Sequence, residues 1–156
     1  MKNIYIILGE AHAGKSTLVR SLTGLRAEGA VKIQMNNKAA NSICVYAFMC
    51  AAQEEQKHNH TPENLFDFIN DNEYKHFLIP LRYNGKITNG EHRPDAQQYI
   101  DLLNKNCNIL GIALLSQTTI PLINIPTSVT QIECPYSHDS AVNFIANKVR
   151  NGWAWL

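Results

Sequence analysis

Residues 4–18 read Ile4-Tyr5-Ile6-Ile7-Leu8-Gly9-Glu10-Ala11-His12-Ala13-Gly14-Lys15-Ser16-Thr17-Leu18, and this stretch decides the fold. Ile4 to Leu8 is an unbroken apolar run with branched side chains. Such a run suits a strand buried on both faces of a parallel sheet, not one that alternates between core and water. Gly9 ends the run. From Lys15 to Thr23 the apolar residues Leu18, Val19 and Leu22 fall on one side of a helix, and Gly24 supplies its stop.

Working outward, Val31 to Met35 alternates and is separated by Asn36-Asn37 and the Ala-Ala-Asn-Ser segment from a stronger strand, Ile43 to Met49. That spacing permits a hairpin. Thr61-Pro62-Glu63 is a helix start with a hydroxyl cap, a proline in the first turn and an acid at the positive end of the dipole. Leu65, Phe66, Phe68 and Ile69 supply its apolar side. His76 to Leu81 returns to strand, and a polar loop from Arg82 to Arg93 leads to a helix opened by Pro94, with Tyr99, Ile100, Leu102 and Leu103 inward. Ile109 to Leu115 is another buried strand, Val129 to Ile132 a weaker one, and Ser140 to Val149 a last helix ending near Asn151-Gly152. Strands alternating with helices predict an α/β fold: a three-layer sandwich on a mainly parallel sheet, with room for one antiparallel edge strand or hairpin. With 156 residues the chain is expected to form a single domain, 1–156.

Gly9-Glu10-Ala11-His12-Ala13-Gly14-Lys15-Ser16 fits the pattern G-x-x-x-x-G-K-[ST], placed between a buried strand and the first turn of a helix. The glycines let the backbone curl so that successive N–H groups point inward, and the helix that follows adds its own unpaired donors and dipole. An anion site is the expected product. In it Lys15 would reach the β- and γ-phosphates of a nucleotide, Ser16 would offer its hydroxyl to Mg²⁺, and Thr17 would bond the α-phosphate. The bland alternative is a glycine turn followed by a surface lysine.

Over Ile4 to Leu22 the chain resembles the P-loop NTPase superfamily, whose phosphate-binding loop (the Walker A motif) has this pattern; beyond Leu22 the likeness is architectural. The resemblance implies binding of ATP or GTP with magnesium at the carboxyl edge of a parallel sheet. In its compactness, with one nucleotide motif and few others, the chain is also similar to the small ATP/GTP-binding proteins encoded by phages and prophages. The order of loop, helix, hairpin and strand–helix pairs resembles small GTPases, yet no D-x-x-G follows Ile43 to Met49 and there is no N-K-x-D, so guanine specificity has no support. A hydrolytic member would end a second strand in aspartate. Here Ile43 to Met49 runs into Cys50-Ala51-Ala52-Gln53-Glu54-Glu55, and His76 to Leu81 ends in Arg82. Glu54 or Glu55 would have to substitute a turn later, with Gln53 as the nearby candidate for positioning water; the alternative is a solvated charged loop.

The remaining candidates each carry a plainer reading. Arg82, Lys86 and Arg93 bracket a loop that in such folds opens on the same edge as the glycine loop, where it would meet a γ-phosphate or an acceptor, or be surface charge. His58-Asn59-His60, with Glu54 and Glu55 upstream, has too few fixed ligands for structural zinc and reads as a polar loop. His12 has a reference pKa near neutrality, so it would sense pH or contact phosphate, or simply point outward. Trp153-Ala154-Trp155-Leu156 is either an exposed protein-binding tip or a tail folded onto the core.

Composition narrows the classes. The formal charge of +1 gives no field to draw the protein onto nucleic acid or anionic lipid, and no window approaches a membrane span. The short stretch before the motif leads to the expectation of no signal peptide. Cys44, Cys50, Cys107 and Cys134 lie mostly in apolar runs without C-x-x-C spacing, so reduced core cysteines and a cytoplasmic location are expected. Two functions compete, and a third, a nucleic-acid-handling accessory, rests on the P-loop analogy alone and is opposed by the near-neutral charge. One is an NTPase or a small kinase-like phosphotransferase, in which Lys15 and Mg²⁺ stabilise charge and the Arg82–Arg93 loop takes the acceptor. The other is a nucleotide-bound accessory or interaction module with weak or partner-dependent hydrolysis, which the missing strand-tip aspartate favours.

Overall fold

The computed structural model describes residues 1–10, 13–36, 41–54, 61–85, 92–116, 123–135 and 142–156. Ala11, His12, Glu55, the His58 to His60 segment and Lys86 lie outside these residues. The described chain runs β1 (Asn3–Gly9), α1 (Lys15–Thr23), β2 (Gly29–Gln34), β3 (Ser42–Ala47), a 3-10 turn (Ala52–Glu54), α2 (Pro62–Asp71), β4 (His76–Arg82), α3 (Ala96–Asn106), β5 (Asn108–Ser116), β6 (Thr130–Pro135) and α4 (Val142–Trp153). The strands form one six-stranded sheet in the order β2-β3-β4-β1-β5-β6. Every pairing is parallel except that of β2 with β3, which is the anticipated hairpin.

Alternation of side chains along β1 explains why its sequence is apolar without interruption. Ile4, Ile6 and Leu8 enter one core with Leu65 and Ile69 of α2 and Tyr99, Ile100 and Leu103 of α3. Tyr5 and Ile7 enter the other, with Leu18, Val19 and Leu22 of α1 and Ile145, Ala146 and Val149 of α4. Helices therefore cover both faces, and a central strand has no polar side.

The sheet order separates β1 from β3, although both precede β4 in the chain. Gly9 stands opposite Arg82 of β4 on one side and Leu115 of β5 on the other. The helix after β1 lies on one face and the helix after the adjacent β4 on the other. Connections that diverge in this way leave a crevice outside the carboxyl ends of the two strands, the usual ligand position in open α/β sheets.

Local differences from the sequence reading have local causes. Helix α3 starts at Ala96, two residues after Pro94, because Asp95 holds the extended cap position and its carboxylate takes the Gly85 N–H at 2.7 Å. Helix α4 continues through Asn151-Gly152 to Trp153, since Gly152 packs so closely on Ile132 that an added Cβ would come within 2.2 Å of its Cδ1. Helix α2 begins as expected, with the Thr61 hydroxyl accepting from the Asn64 N–H at 3.1 Å and Pro62 in the first turn. Cys107 and Cys134 are buried as expected, but Cys44 in β3 and Cys50 in the bend after it are exposed.

The C-terminal tail is folded onto the core. Trp153 and Trp155 are both buried and pack against Tyr5, with ring centroids 5.0 and 4.9 Å away. The Asn36 N–H donates to the Ala154 carbonyl at 2.7 Å and the Leu156 N–H to that of Gln34 at 2.8 Å. Burial of two indoles outweighs an exposed tip, so of Trp153 to Leu156 only Leu156 presents a large apolar side chain to solvent. No described helix is long and apolar enough to cross a membrane.

Candidate functional site

Gly9, Glu10 and Ala13 to Ser16, the described residues of the glycine loop, sit at the crevice. A Cβ on Gly9 would stand 3.1 Å from Lys15 Cγ, 3.2 Å from Ala13 Cβ and 3.3 Å from Leu115 Cβ, so a larger residue would require these neighbours to shift by a few tenths of an ångström. Gly14, with φ 87°, makes the left-handed turn into α1, and no side chain caps that helix. Among the described residues no side chain caps the first N–H groups of α1, which have no intrahelical partner either, so this helix end carries donors and the positive end of a dipole. Ser16 in the first turn is half-buried and Thr17 is exposed.

Lys15 is the unusual side chain. It is 7% exposed, and its ammonium donates to the carbonyls of Gly9 at 3.1 Å and Glu10 at 2.7 Å. Burial is the main influence on it and lowers its pKa to about 8; the carboxylate of Glu54 raises it, Arg82 lowers it and Glu10 raises it. Desolvation thus destabilises the cation, and the carboxylates only partly offset this. Tyr83, at the same edge, hydrogen-bonds the Leu115 carbonyl at 3.3 Å and is pushed up to about 12 by burial and then by the charge of Glu10.

Glu54 and Arg82 come together here, with Arg82 Nε 3.8 Å from Glu54 Oε1. Their meeting follows from how β3 separates from β4. The Phe48 N–H still bonds the Leu78 carbonyl at 3.0 Å, but two residues on, Pro80 has no N–H to continue that ladder. The next residue facing this side is Arg82, and both of its backbone groups are taken by the Gln53 side chain. The Arg82 N–H donates to Gln53 Oε1 at 3.0 Å, and Gln53 Nε2 donates to the Arg82 carbonyl at 2.9 Å. Gln53 is fully buried, and its own carbonyl accepts from the Arg93 guanidinium. The Gln53 amide is therefore tied to the Arg82 backbone through one bond at each end.

Beside the loop, on the α4 side, is a largely apolar cavity of about 60 Å³. Ala13, Gly14 and Thr17 meet Leu115, Val142 and Ile145 around it.

Of the residues singled out from sequence, Gly9, Glu10, Ala13, Gly14, Lys15, Ser16 and Thr17 are grouped with Glu54 and Arg82 in this crevice. Arg93 is tied to the 3-10 turn behind them, and the tail indoles lie by Tyr5 in the opposite half of β1. Sequence reasoning missed the structural role of Gln53, and it missed Tyr83, Val142 and Ile145. No local signal marks them, because each reaches the loop from an element distant in the chain. Among the described residues no group of three or more His, Cys, Asp or Glu could hold a metal ion. Compared with family models, curated proteins and solved structures, the chain gives no match.

Proposed function

We propose that the chain binds a nucleoside triphosphate as its magnesium complex through Gly9 to Thr17, with weak or partner-dependent hydrolysis. The observation that carries the reading is Lys15, a buried ammonium lying on its own loop's carbonyls beside an uncapped helix N-terminus. A triphosphate offers this cation and these N–H groups better acceptors, since charge-assisted bonds to phosphate are roughly twice as strong as neutral ones.

Two further features support it. The cavity beside Gly14 and Thr17 offers an apolar wall to the nucleoside attached to the phosphates. Magnesium keeps several waters and takes one or two protein oxygens besides those of the phosphates, so a crowded carboxylate cluster is not required. The Ser16 hydroxyl and the Glu54 carboxylate are the oxygen donors that fit it here. When bound, the ion would neutralise charge on the phosphates.

The test is titration calorimetry with ATP, GTP and inorganic tripolyphosphate, with and without Mg²⁺, followed by an assay of phosphate release. Saturable binding of at least one nucleoside triphosphate supports the proposal. Absence of heat at millimolar ligand overturns it.

A further inference from the structure

We infer that Gln53 is a positioning residue of the anion site, whose buried amide holds Glu54 and Arg82 in place opposite Lys15. This assignment rests on the nucleotide-binding reading and deepens it.

A proline in a central strand leaves a gap in the ladder, and a gap at a sheet's carboxyl edge frees whatever follows it. Pro80 makes such a gap on the β3 side of β4, and Gln53 fills the next rung with a side-chain amide that mimics a peptide group, donating and accepting at once. The turn that carries Gln53 is held a second time, by Arg93 on the Gln53 carbonyl. Glu54 is the next residue in that turn and Arg82 is the residue it is clamped to, so the two charges 3.8 Å apart are set by the same two bonds. Buried polar groups are costly unless paired, and here each end of the amide has a backbone partner on Arg82.

What the clamp does follows from charge. A carboxylate held near the loop lysine repels a metal-free triphosphate and tolerates, or helps to bind, one whose charge is reduced by Mg²⁺. The clamp thereby converts a flexible acid on a turn into a fixed preference for the metal complex. If Gln53 served folding alone, its loss would weaken binding of both ligand forms by one common factor and leave the preference unchanged.

The experiment is calorimetry of a non-hydrolysable ATP analogue with the full chain, in Mg²⁺ and in chelator, reading the ratio of the two affinities. Thermal melts are recorded alongside. Gln53→Met has nearly the original shape without the amide and is expected to reduce the ratio by about tenfold, the scale of one unit charge acting across a half-solvated site. Glu54→Gln is expected to reduce it equally, and the double variant no further, because both changes remove one interaction. Gln53→Asn keeps an amide too short to reach both Arg82 groups, and serves in the same way should Gln53→Met fail to fold.

A ratio unchanged in a folded Gln53 variant while Glu54→Gln lowers it overturns the assignment and leaves nucleotide binding intact. So does a double variant that loses the sum of the two effects. No binding by the unaltered protein overturns the nucleotide reading itself, and the assignment with it.

Discussion

Lys15 Nζ lies 2.7 Å from the Glu10 carbonyl oxygen, so the loop lysine is bound by the loop that it follows. A second bond, to Gly9 at 3.1 Å, closes the arrangement. Both carbonyls are neutral acceptors for a buried cation, and phosphate oxygens would compete for it successfully. Lys15→Ala is therefore expected to weaken binding of ATP and GTP by at least about tenfold, the scale of a hydrogen bond to a charged group. The melting temperature should change little, because the variant also removes a poorly solvated charge. Calorimetry and a thermal melt on one preparation check both halves, and unchanged affinity would sink the proposed site.

Burial lowers the Lys15 pKa to about 8 against the opposing charges of Glu54 and Glu10, with Arg82 acting in the same direction as burial. Below pH 8 the ammonium already exists in the free protein. Above it, binding a polyanion must take up a proton, so affinity for tripolyphosphate in chelator should fall by up to about tenfold per pH unit. Proton uptake should appear at pH 8.5 as a dependence of the binding heat on the ionisation enthalpy of the buffer. Lys15→Arg, which does not titrate in this range, should flatten the profile.

Trp155 is 2% exposed, its ring 4.9 Å from that of Tyr5 and 5.2 Å from that of Trp153. Trp155→Ala should cost roughly 3–5 kcal/mol of stability, as large-to-small changes of buried aromatics do. Triphosphate affinity measured well below the melting temperature should be unchanged, since the indole packs on the amino-terminal half of β1 and the loop leaves its carboxyl end. A weakened affinity with an unaltered melt would reverse the assignment of the tail to the core.

Hydrolysis by the isolated protein is expected to be slow or undetectable, well below the enzyme median of about ten per second. Turnover needs a metal in register, a group that orients water and a cation for the developing charge. Gln53 is committed to the Arg82 backbone, and Arg82 is paired with Glu54, so neither is placed for those tasks in this arrangement. Brisk magnesium-dependent phosphate release from the purified chain, lost in Glu54→Gln, would show that this is an enzyme and not chiefly a binder.

Much of the fold was legible because its signals are local. Apolar runs at Ile4 to Leu8 and Ile109 to Leu115 specify central strands, since a strand covered on both faces has no polar positions to spare. Gly14 before Lys15 and Gly24 after Thr23 bound α1, as the left-handed turns at both ends require. The candidate anion loop was legible for the same reason, being one contiguous segment. The sheet order was not, because a strand's pattern tells how it is covered and not which strand is beside it. Thus β4, rather than β3, adjoins β1.

Other features were decided by tertiary structure alone. The C-terminal indoles were equally compatible with an exposed tip and a buried tail, and only the surface offered by Tyr5 and the end of β2 selects burial. Gln53 looked like a polar residue near a strand end, available to water, yet it is fully buried. Its partner is 29 residues away, and the need for it arises from a missing N–H at Pro80. By itself the sequence determined which segments are strands and helices and where the glycine turn between β1 and α1 falls, because periodicity and glycine act between near neighbours. Which charges surround that turn was left to the packed chain, because Glu54, Arg82 and Lys15 meet only when the 3-10 turn and β4 end, and α1 begins, at the same edge of the sheet.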